Sequence, residues 1–173
     1  MQTARNRRPT TRASLARLAR VPRAFIGLGS NLGDRESTIR AALAELDAVD
    51  GVEVVAVSAL RDTEPVGFLD QPRFLNGVAA LETERPAREL LELLLAVEAR
   101  FGRDRSAVPA QGPRTLDLDL LLYGDAELDE PGLRVPHPRL HERAFVLEPL
   151  AELEPGLKVP GKGPIQTLLA GLH

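Results

Sequence analysis

Two aspartates, Asp117 and Asp119, are the residues whose type and spacing point most directly to chemistry. They alternate with Leu116, Leu118 and Leu120, and an alternation of period two is typical of a strand with one apolar face. The two carboxylates would share the other face, roughly 6–7 Å apart. Carboxylates this close repel unless a cation lies between them, and Mg²⁺ typically takes one or two carboxylates together with substrate phosphates. A metal site and a solvated edge strand both fit the two aspartates alone.

Three arginines precede this strand in the sequence. Arg114 precedes Asp117 by three positions, and Arg103 and Arg105 lie at the other end of the same polar loop. Guanidinium groups on such a loop can close over a nucleotide and neutralise charge on a transferred phosphoryl group. Ordinary surface arginines are the alternative interpretation, because the chain is rich in arginine.

Candidate ring-binding and phosphate-binding residues lie elsewhere in the chain. Phe74 and Phe145 could grip a flat ring by stacking, although a phenylalanine is by default a core residue. Asn76 follows on the same strand face as Phe74, and its amide suits a hydrogen-bonding heterocycle. His137 lies between two prolines and so outside any helix, where it could bind phosphate, act as an acid or base, or be structural.

The glycine-rich run at 27–33 lies between a predicted strand and a predicted helix. Its spacing is not that of a dinucleotide-binding loop, and no Lys-Ser/Thr follows as in a P-loop. The run therefore favours a tight turn in which Ser30, Asn31 or Asp34 caps the next helix.

Composition narrows the class of protein. A chain of 173 residues with 43% hydrophobic and 27% charged residues is typical of one globular domain. No apolar run approaches the ~18–20 residues of a membrane span, so we expect a cytoplasmic protein with no membrane partner. The absence of cysteine excludes disulfides and zinc–thiolate sites.

Charge separates a leader from the domain. Residues 1–22 are rich in arginine and contain no acid, whereas the net charge of the whole chain is −3. We expect a disordered leader at 1–22 and one domain at 23–173; a transit peptide or a nucleic-acid or membrane-surface arm has a similar composition. The acidic domain itself argues against nucleic-acid binding.

Periodicity predicts an α+β fold. Strands are expected at about 24–28, 52–60, 74–84 and 117–123, and helices at about 35–49 and 86–101. This order is the ferredoxin-like β-α-β-β-α-β unit: an antiparallel sheet with both helices on one face, here with added C-terminal elements that include a helix near 143–153. We interpret the aspartate strand as a central strand facing a cleft, and the long loop at 61–73 as functional.

Four stretches together resemble a known family. They are residues 25–33, 70–76, 112–119 and 135–145, and in this order they resemble 6-hydroxymethyl-7,8-dihydropterin pyrophosphokinase of the folate pathway. The likeness extends from residue 24 to about 160. It implies transfer of the pyrophosphoryl group of ATP to the hydroxymethyl oxygen of the dihydropterin, with release of AMP.

The resemblance also implies roles for individual residues. Two Mg²⁺ ions would be held by Asp117 and Asp119. The pterin would lie between Phe74 and Phe145, with Asn76 at its edge and backbone groups around Thr63, Glu64 and Val66 lining the rest of its pocket. The ATP contacts would come from Glu98, Arg103, Arg105, Arg114, His137 and Arg143, and the catalytic residues would be Arg103, Arg114 and Asp117.

The sequence departs from the family pattern at two positions. Phe74 stands where the family often has tyrosine, and Gln111 stands where it often has tryptophan. Two alternatives stay open: a non-catalytic ferredoxin-like module that binds a metabolite, and another Mg²⁺-dependent kinase or nucleotidyltransferase. We expect a monomer whose partners are small-molecule substrates.

Overall fold

The computed structural model describes residues 21–102 and 115–172. Within them, the main sheet contains five strands, and four α-helices and two small hairpins complete the fold. The sheet strands are β1 (Arg23–Ser30), β2 (Val52–Val57), β3 (Arg61–Thr63), β4 (Phe74–Thr83) and β5 (Asp117–Tyr123). The helices are α1 (Arg35–Asp47), α2 (Ala87–Arg100), α3 (Ala144–Leu153) and α4 (Ile165–Ala170). The hairpins are β6 (Leu128–Glu130) with β7 (Leu133–Val135), and β8 (Lys158–Val159) with β9 (Gly163–Pro164), and a short 3₁₀ helix covers Leu140–Glu142.

The strand order confirms the ferredoxin-like prediction. The strands lie in the order β2-β4-β1-β5, and β3 also pairs with β4. Every pairing in this sheet is antiparallel. The two strands of each β-α-β unit are therefore not neighbours, and a strand of the other unit lies between them. This is the split arrangement that the element order predicted.

The position of β5 corrects one expectation. We interpreted the aspartate strand as central, but β5 is the terminal strand of the sheet order, paired on one side with β1. After Tyr123 the chain turns away into the β6–β7 hairpin, which forms its own two-stranded sheet. Asp117 and Asp119 therefore lie on an edge strand.

Alternate residues of the sheet supply two separate apolar cores. On one face, α1 and α2 pack against the strands through a cluster that includes Ile39, Leu46, Leu90, Leu94 and the β5 residues Leu118 and Leu120. On the other face, α3 and α4 pack through a cluster that includes Val78, Leu121, Leu147, Leu150 and Ile165. The C-terminal elements thus cover the sheet face toward which Asp117 and Asp119 point.

Two element boundaries differ from the prediction. Strand β1 continues through Gly29 and Ser30, which were predicted as a turn. The predicted strand at 52–60 ends at Val57, because Ser58 leaves the β2 register and exchanges hydrogen bonds with Val78 through its backbone N–H and its hydroxyl, and the short strand β3 lies in the stretch that was predicted as a loop. Asp34 accepts a hydrogen bond from the Ser37 N–H, which confirms it as the cap of α1.

No helix in the two described ranges is long and apolar enough to cross a membrane.

We expect Leu118→Ala to lower the free energy of unfolding by about 2–4 kcal/mol, because it removes a fully buried side chain of β5 from the core against α1 and α2. Chemical denaturation would measure this change. Leu95→Ala is the matched control, since Leu95 is exposed and should cost below about 1 kcal/mol. Equal costs at the two positions would contradict this account of the core.

Candidate active site

Three adjacent strands form the floor of the site. Gly29 pairs with Asn76 of β4 on one side and with Asp117 of β5 on the other, and Gly27 pairs with Asp119. Paired positions point to the same sheet face, so the two carboxylates and the Asn76 amide rise from one surface, with glycine backbone between them. The glycine-rich run thus supplies a flat floor.

A cavity stands on this floor. It encloses about 690 Å³, open solvent at its mouth included. Phe74 from β4 and Phe145 from the first turn of α3 line it. The other lining residues are Gly27, Leu28, Gly29, Thr63, Glu64, Val66, Asn76, Gly77, Asp117, Asp119, Leu121, Arg143 and Val146. All six residues that the resemblance assigned to the pterin therefore lie around one cavity.

The Asn76 amide has a fixed direction. Its Nδ2 donates a hydrogen bond to the hydroxyl of Thr63, which lies on β3 opposite Phe74. The cavity wall formed by β3 and β4 is thereby joined through side chains as well as through the backbone.

Side-chain bonds hold the 61–73 loop over this wall. Asn31 is buried, and its Nδ2 donates to Gln71 Oε1 at 2.9 Å and to the Pro72 carbonyl at 3.0 Å. Asp62 pairs with Arg35 at 3.1 Å and with Arg73 at 3.0 Å. These two guanidinium groups donate hydrogen bonds that lower the pKa of the Asp62 carboxyl. The loop is therefore tied to α1 and to the residue that follows β1.

Arg143 brings positive charge to the aspartates. It lines the cavity, and its Cζ lies 5.6 Å from the centroid of the Phe145 ring, in reach of a cation–π interaction. Burial lowers the pKa of Arg143, and the charges of Asp119 and Asp117 oppose that shift, so the guanidinium stays protonated. Among the residues that the structure describes, its buried Nε has no hydrogen-bond partner. An oxyanion would satisfy this donor.

His137 is fixed in one tautomer. Its backbone N–H donates to the Leu121 carbonyl at 2.9 Å, and its Nδ1 accepts the Arg139 N–H at 3.2 Å. In the neutral ring the proton is consequently on Nε2. Burial, and secondly the charge of Arg143, lower the pKa of His137, which favours the neutral ring. His137 thus offers a neutral N–H donor.

A second cavity lies around the edge of β5. Its lining comes from α2, β5, the β6–β7 hairpin and the loop that follows: Leu91, Leu95, Leu118, Asp119, Leu120, Glu130, Gly132, Leu133, Arg134, His137 and Pro138. Asp119 lines both cavities. Of these residues, only Asp119 and His137 were predicted from the sequence as site residues. The helix residues Leu91 and Leu95 lack a sequence signal, because apolar residues on a helix face are usually interpreted as core.

Glu98 supports the floor from below. Its side chain is buried at 2% exposure, and its carboxylate accepts the backbone N–H of Leu118 at 2.7 Å. Leu118 lies between Asp117 and Asp119, so this bond holds the part of β5 that presents both carboxylates. Glu98 lines neither of these two cavities, and its role in ATP binding stays a prediction.

The structure does not describe the remaining predicted residues. Arg103, Arg105, Arg114 and the Gln111 position fall outside the described residues, so their contributions stay predictions. Across residues 21–102 and 115–172, the structure contains no cluster of three or more His, Asp or Glu side chains that could hold a metal ion. The pair Asp117 and Asp119 nevertheless fits Mg²⁺, which takes one or two carboxylates when phosphate oxygens and water complete its shell.

We expect Glu98→Ala to lower the free energy of unfolding by about 1–3 kcal/mol, because it leaves the buried Leu118 N–H without this acceptor. Glu98→Gln keeps an acceptor oxygen and should cost less. Chemical denaturation checks the difference, with Glu92→Ala as the control because Glu92 is exposed on the same helix. Equal losses in the alanine and glutamine variants would contradict the assigned hydrogen bond.

The comparisons with known proteins agree with this geometry. Residues 25–155 match the family described as 7,8-dihydro-6-hydroxymethylpterin-pyrophosphokinase. The chain is 47% identical over 150 residues to the 2-amino-4-hydroxy-6-hydroxymethyldihydropteridine pyrophosphokinase of Pseudomonas aeruginosa, covering 87% of this chain and 91% of that protein. It is 47% identical over 130 residues to the protein of the same name from Bacillus subtilis, covering 75% and 77%.

A solved structure shows the same fold. The crystal structure of an HPPK-DHPS protein in complex with substrates superposes with a TM-score of 0.64 at 12% identity. The likeness covers 87% of this chain and 43% of that chain. Taken with the sequence matches, these findings show that the chain belongs to the 7,8-dihydro-6-hydroxymethylpterin-pyrophosphokinase family.

Proposed function

We propose that this chain transfers the pyrophosphoryl group of ATP to the hydroxymethyl oxygen of 6-hydroxymethyl-7,8-dihydropterin and releases AMP, in folate biosynthesis. The observation that carries the proposal is the position of the carboxylates: Asp117 and Asp119 border a cavity with two aromatic walls, and Asp119 also lines a second cavity. Two substrates can therefore meet at one pair of carboxylates.

The first cavity is the site for the pterin. A flat heterocycle stacks between the rings of Phe74 and Phe145, and the Asn76 amide bonds its polar edge. Thr63, Glu64 and Val66 close the rim, and the Thr63 hydroxyl fixes the direction of the amide. In the proposed orientation the hydroxymethyl group would lie toward Asp117 and Asp119, which line the same cavity.

The second cavity is the site for the nucleotide. Its apolar wall of Leu91, Leu95 and Leu133 accepts the nucleoside, and His137 Nε2–H donates to a phosphate oxygen. Arg143 neutralises phosphate charge from the side of the first cavity. Arg103, Arg105 and Arg114 complete the phosphate contacts in this proposal, and Glu98 acts by holding β5.

Asp117 and Asp119 hold Mg²⁺, and we propose two ions. When bound, Mg²⁺ neutralises the phosphate oxygens and orients the β-phosphorus for in-line attack. Of the residues that the structure describes, these two carboxylates would hold the metal, and the nucleotide phosphates would supply further oxygen ligands. The carboxylates therefore recruit the metal together with ATP.

The reaction exchanges one P–O bond for another. The hydroxymethyl oxygen attacks the β-phosphorus, and the bond between that phosphorus and the oxygen bridging to the α-phosphate breaks. The electron pair leaves on that oxygen as AMP, and the hydroxyl proton is released. Asp117 is our candidate acceptor for this proton, and Arg103 and Arg114 stabilise the charge that develops.

The non-catalytic module is not favoured. Both aspartates, both aromatic rings and Arg143 line one cavity, a combination that binding alone does not require.

The domain proposed at 23–173 contains every lining residue of both cavities. We propose that this domain acts as a cytoplasmic monomer and that the leader at 1–22 is dispensable for activity.

Incubation with ATP, Mg²⁺ and 6-hydroxymethyl-7,8-dihydropterin should release AMP, measured by chromatography. Asp117→Asn or Asp119→Asn should reduce turnover at least ~10²-fold, because each removes a carboxylate charge from the reacting phosphates. Thermal unfolding would verify that both variants fold. The exposed Asp125→Asn is the control and should retain activity. Release of ADP or pyrophosphate in place of AMP would assign another transfer reaction.

Gly29→Ala should raise the KM for the dihydropterin about tenfold or more and leave the KM for ATP nearly unchanged. The added Cβ would lie 3.1 Å from Asn76 Oδ1, on the cavity floor, and an extra methyl group in a fitted pocket costs on this scale. Steady-state kinetics measure both constants. Gly156→Ala is the control, since a Cβ there meets open space. A parallel rise in both KM values would contradict the floor assignment.

A further inference from the structure

Arg61 bridges two elements without lining either cavity. From β3, its Nη1 lies 3.1 Å from Glu148 Oε2 of α3, and its Nη2 lies 4.0 Å from Glu152 Oε2. Glu152 also accepts the backbone N–H of Ala59 at 3.0 Å. The segment that leads into β3 is therefore linked to α3 by side-chain bonds.

The two ends of this link belong to two different elements that line the proposed pterin cavity. Arg61 is the cross-strand partner of Asn76 and lies two residues before Thr63, so its strand orients the amide that faces the ligand. Glu148 lies three residues after Phe145, about one helical turn, and so projects from the same side of α3. A shift of α3 relative to β3 would change the width of the cavity.

The link contributes little to stability. The Arg61 and Glu148 side chains are 39% and 43% exposed, and ion pairs at such positions are individually weak. The core formed by Val78, Leu147 and Leu150 already attaches α3 to the sheet. Apolar packing therefore attaches α3 to the sheet, and the ion pair contributes to the alignment of the helix.

We propose that Arg61 is a positioning residue that aligns α3 with β3 and thereby sets the width of the ring slot between Phe145 and the Phe74–Asn76 wall. This inference rests on the proposed function, because it assigns the slot to the pterin. Stacking on both faces of a ring requires walls held to within about 0.5 Å, and a supporting contact outside the slot supplies such precision.

The test compares Arg61→Met, Glu148→Gln and Arg61→Lys with the unchanged protein. We expect Arg61→Met and Glu148→Gln to raise the KM for the dihydropterin about three- to tenfold, with the KM for ATP changed less than about twofold. Isothermal titration of the dihydropterin, with Mg²⁺ and α,β-methylene-ATP present, should show the same loss in Kd. Arg61→Lys should recover part of it, and the double variant should lose little more than either single variant.

Arg100→Met is the matched control. Arg100 pairs with Glu45 at 2.8 Å at similar exposure but joins α2 to α1 on the opposite sheet face, so it should leave dihydropterin binding unchanged. The inference is overturned if Arg61→Met binds the dihydropterin normally, or if the losses in all variants follow the thermal unfolding temperature. If the unchanged protein neither binds the dihydropterin nor releases AMP, the proposed function itself fails.

Discussion

The site depends on the register of β5, and one buried hydrogen bond helps to hold it. The Glu98 carboxylate accepts the Leu118 N–H between the two aspartates. A slip of one residue would turn Asp117 and Asp119 into the α1–α2 core and expose Leu116 and Leu118 in their place. The cost of burying two carboxylates in an apolar core thus enforces the same register that the chemistry requires.

The two faces of the sheet have different tasks. The face toward α1 and α2 is a closed apolar core. The other face is only partly covered by α3 and α4. Glycines of β1 lie where larger residues would fill the space, and they therefore leave a floor beside the aspartates. Polar links then fix the elements around this floor: Asn31 holds Gln71 and Pro72, and Arg61 holds Glu148. Apolar packing supplies the stability, and these links supply the geometry of the site.

Local signals were sufficient for the element order and for the shared face of the aspartates, because both depend on periodicity within single segments. The resemblance supplied the aromatic pair, whose members are far apart in the sequence and meet at one cavity. Other features depend on the path of the chain in space. The edge position of β5 follows from where the chain goes after Tyr123, and the break at Ser58 follows from its bonds to Val78. The Arg61–Glu148 pair spans 87 positions, and apolar lining residues such as Leu91 read as ordinary core.

The edge position of β5 has a consequence for how substrates meet. A carboxylate on a central strand can be reached from one face alone, whereas Asp119 borders one cavity above the sheet and another around its edge. In the function proposed above, each ligand has its own surface, and neither must leave before the other enters. Such an arrangement suits direct transfer within a ternary complex, because the protein never has to carry the transferred group between two half-reactions.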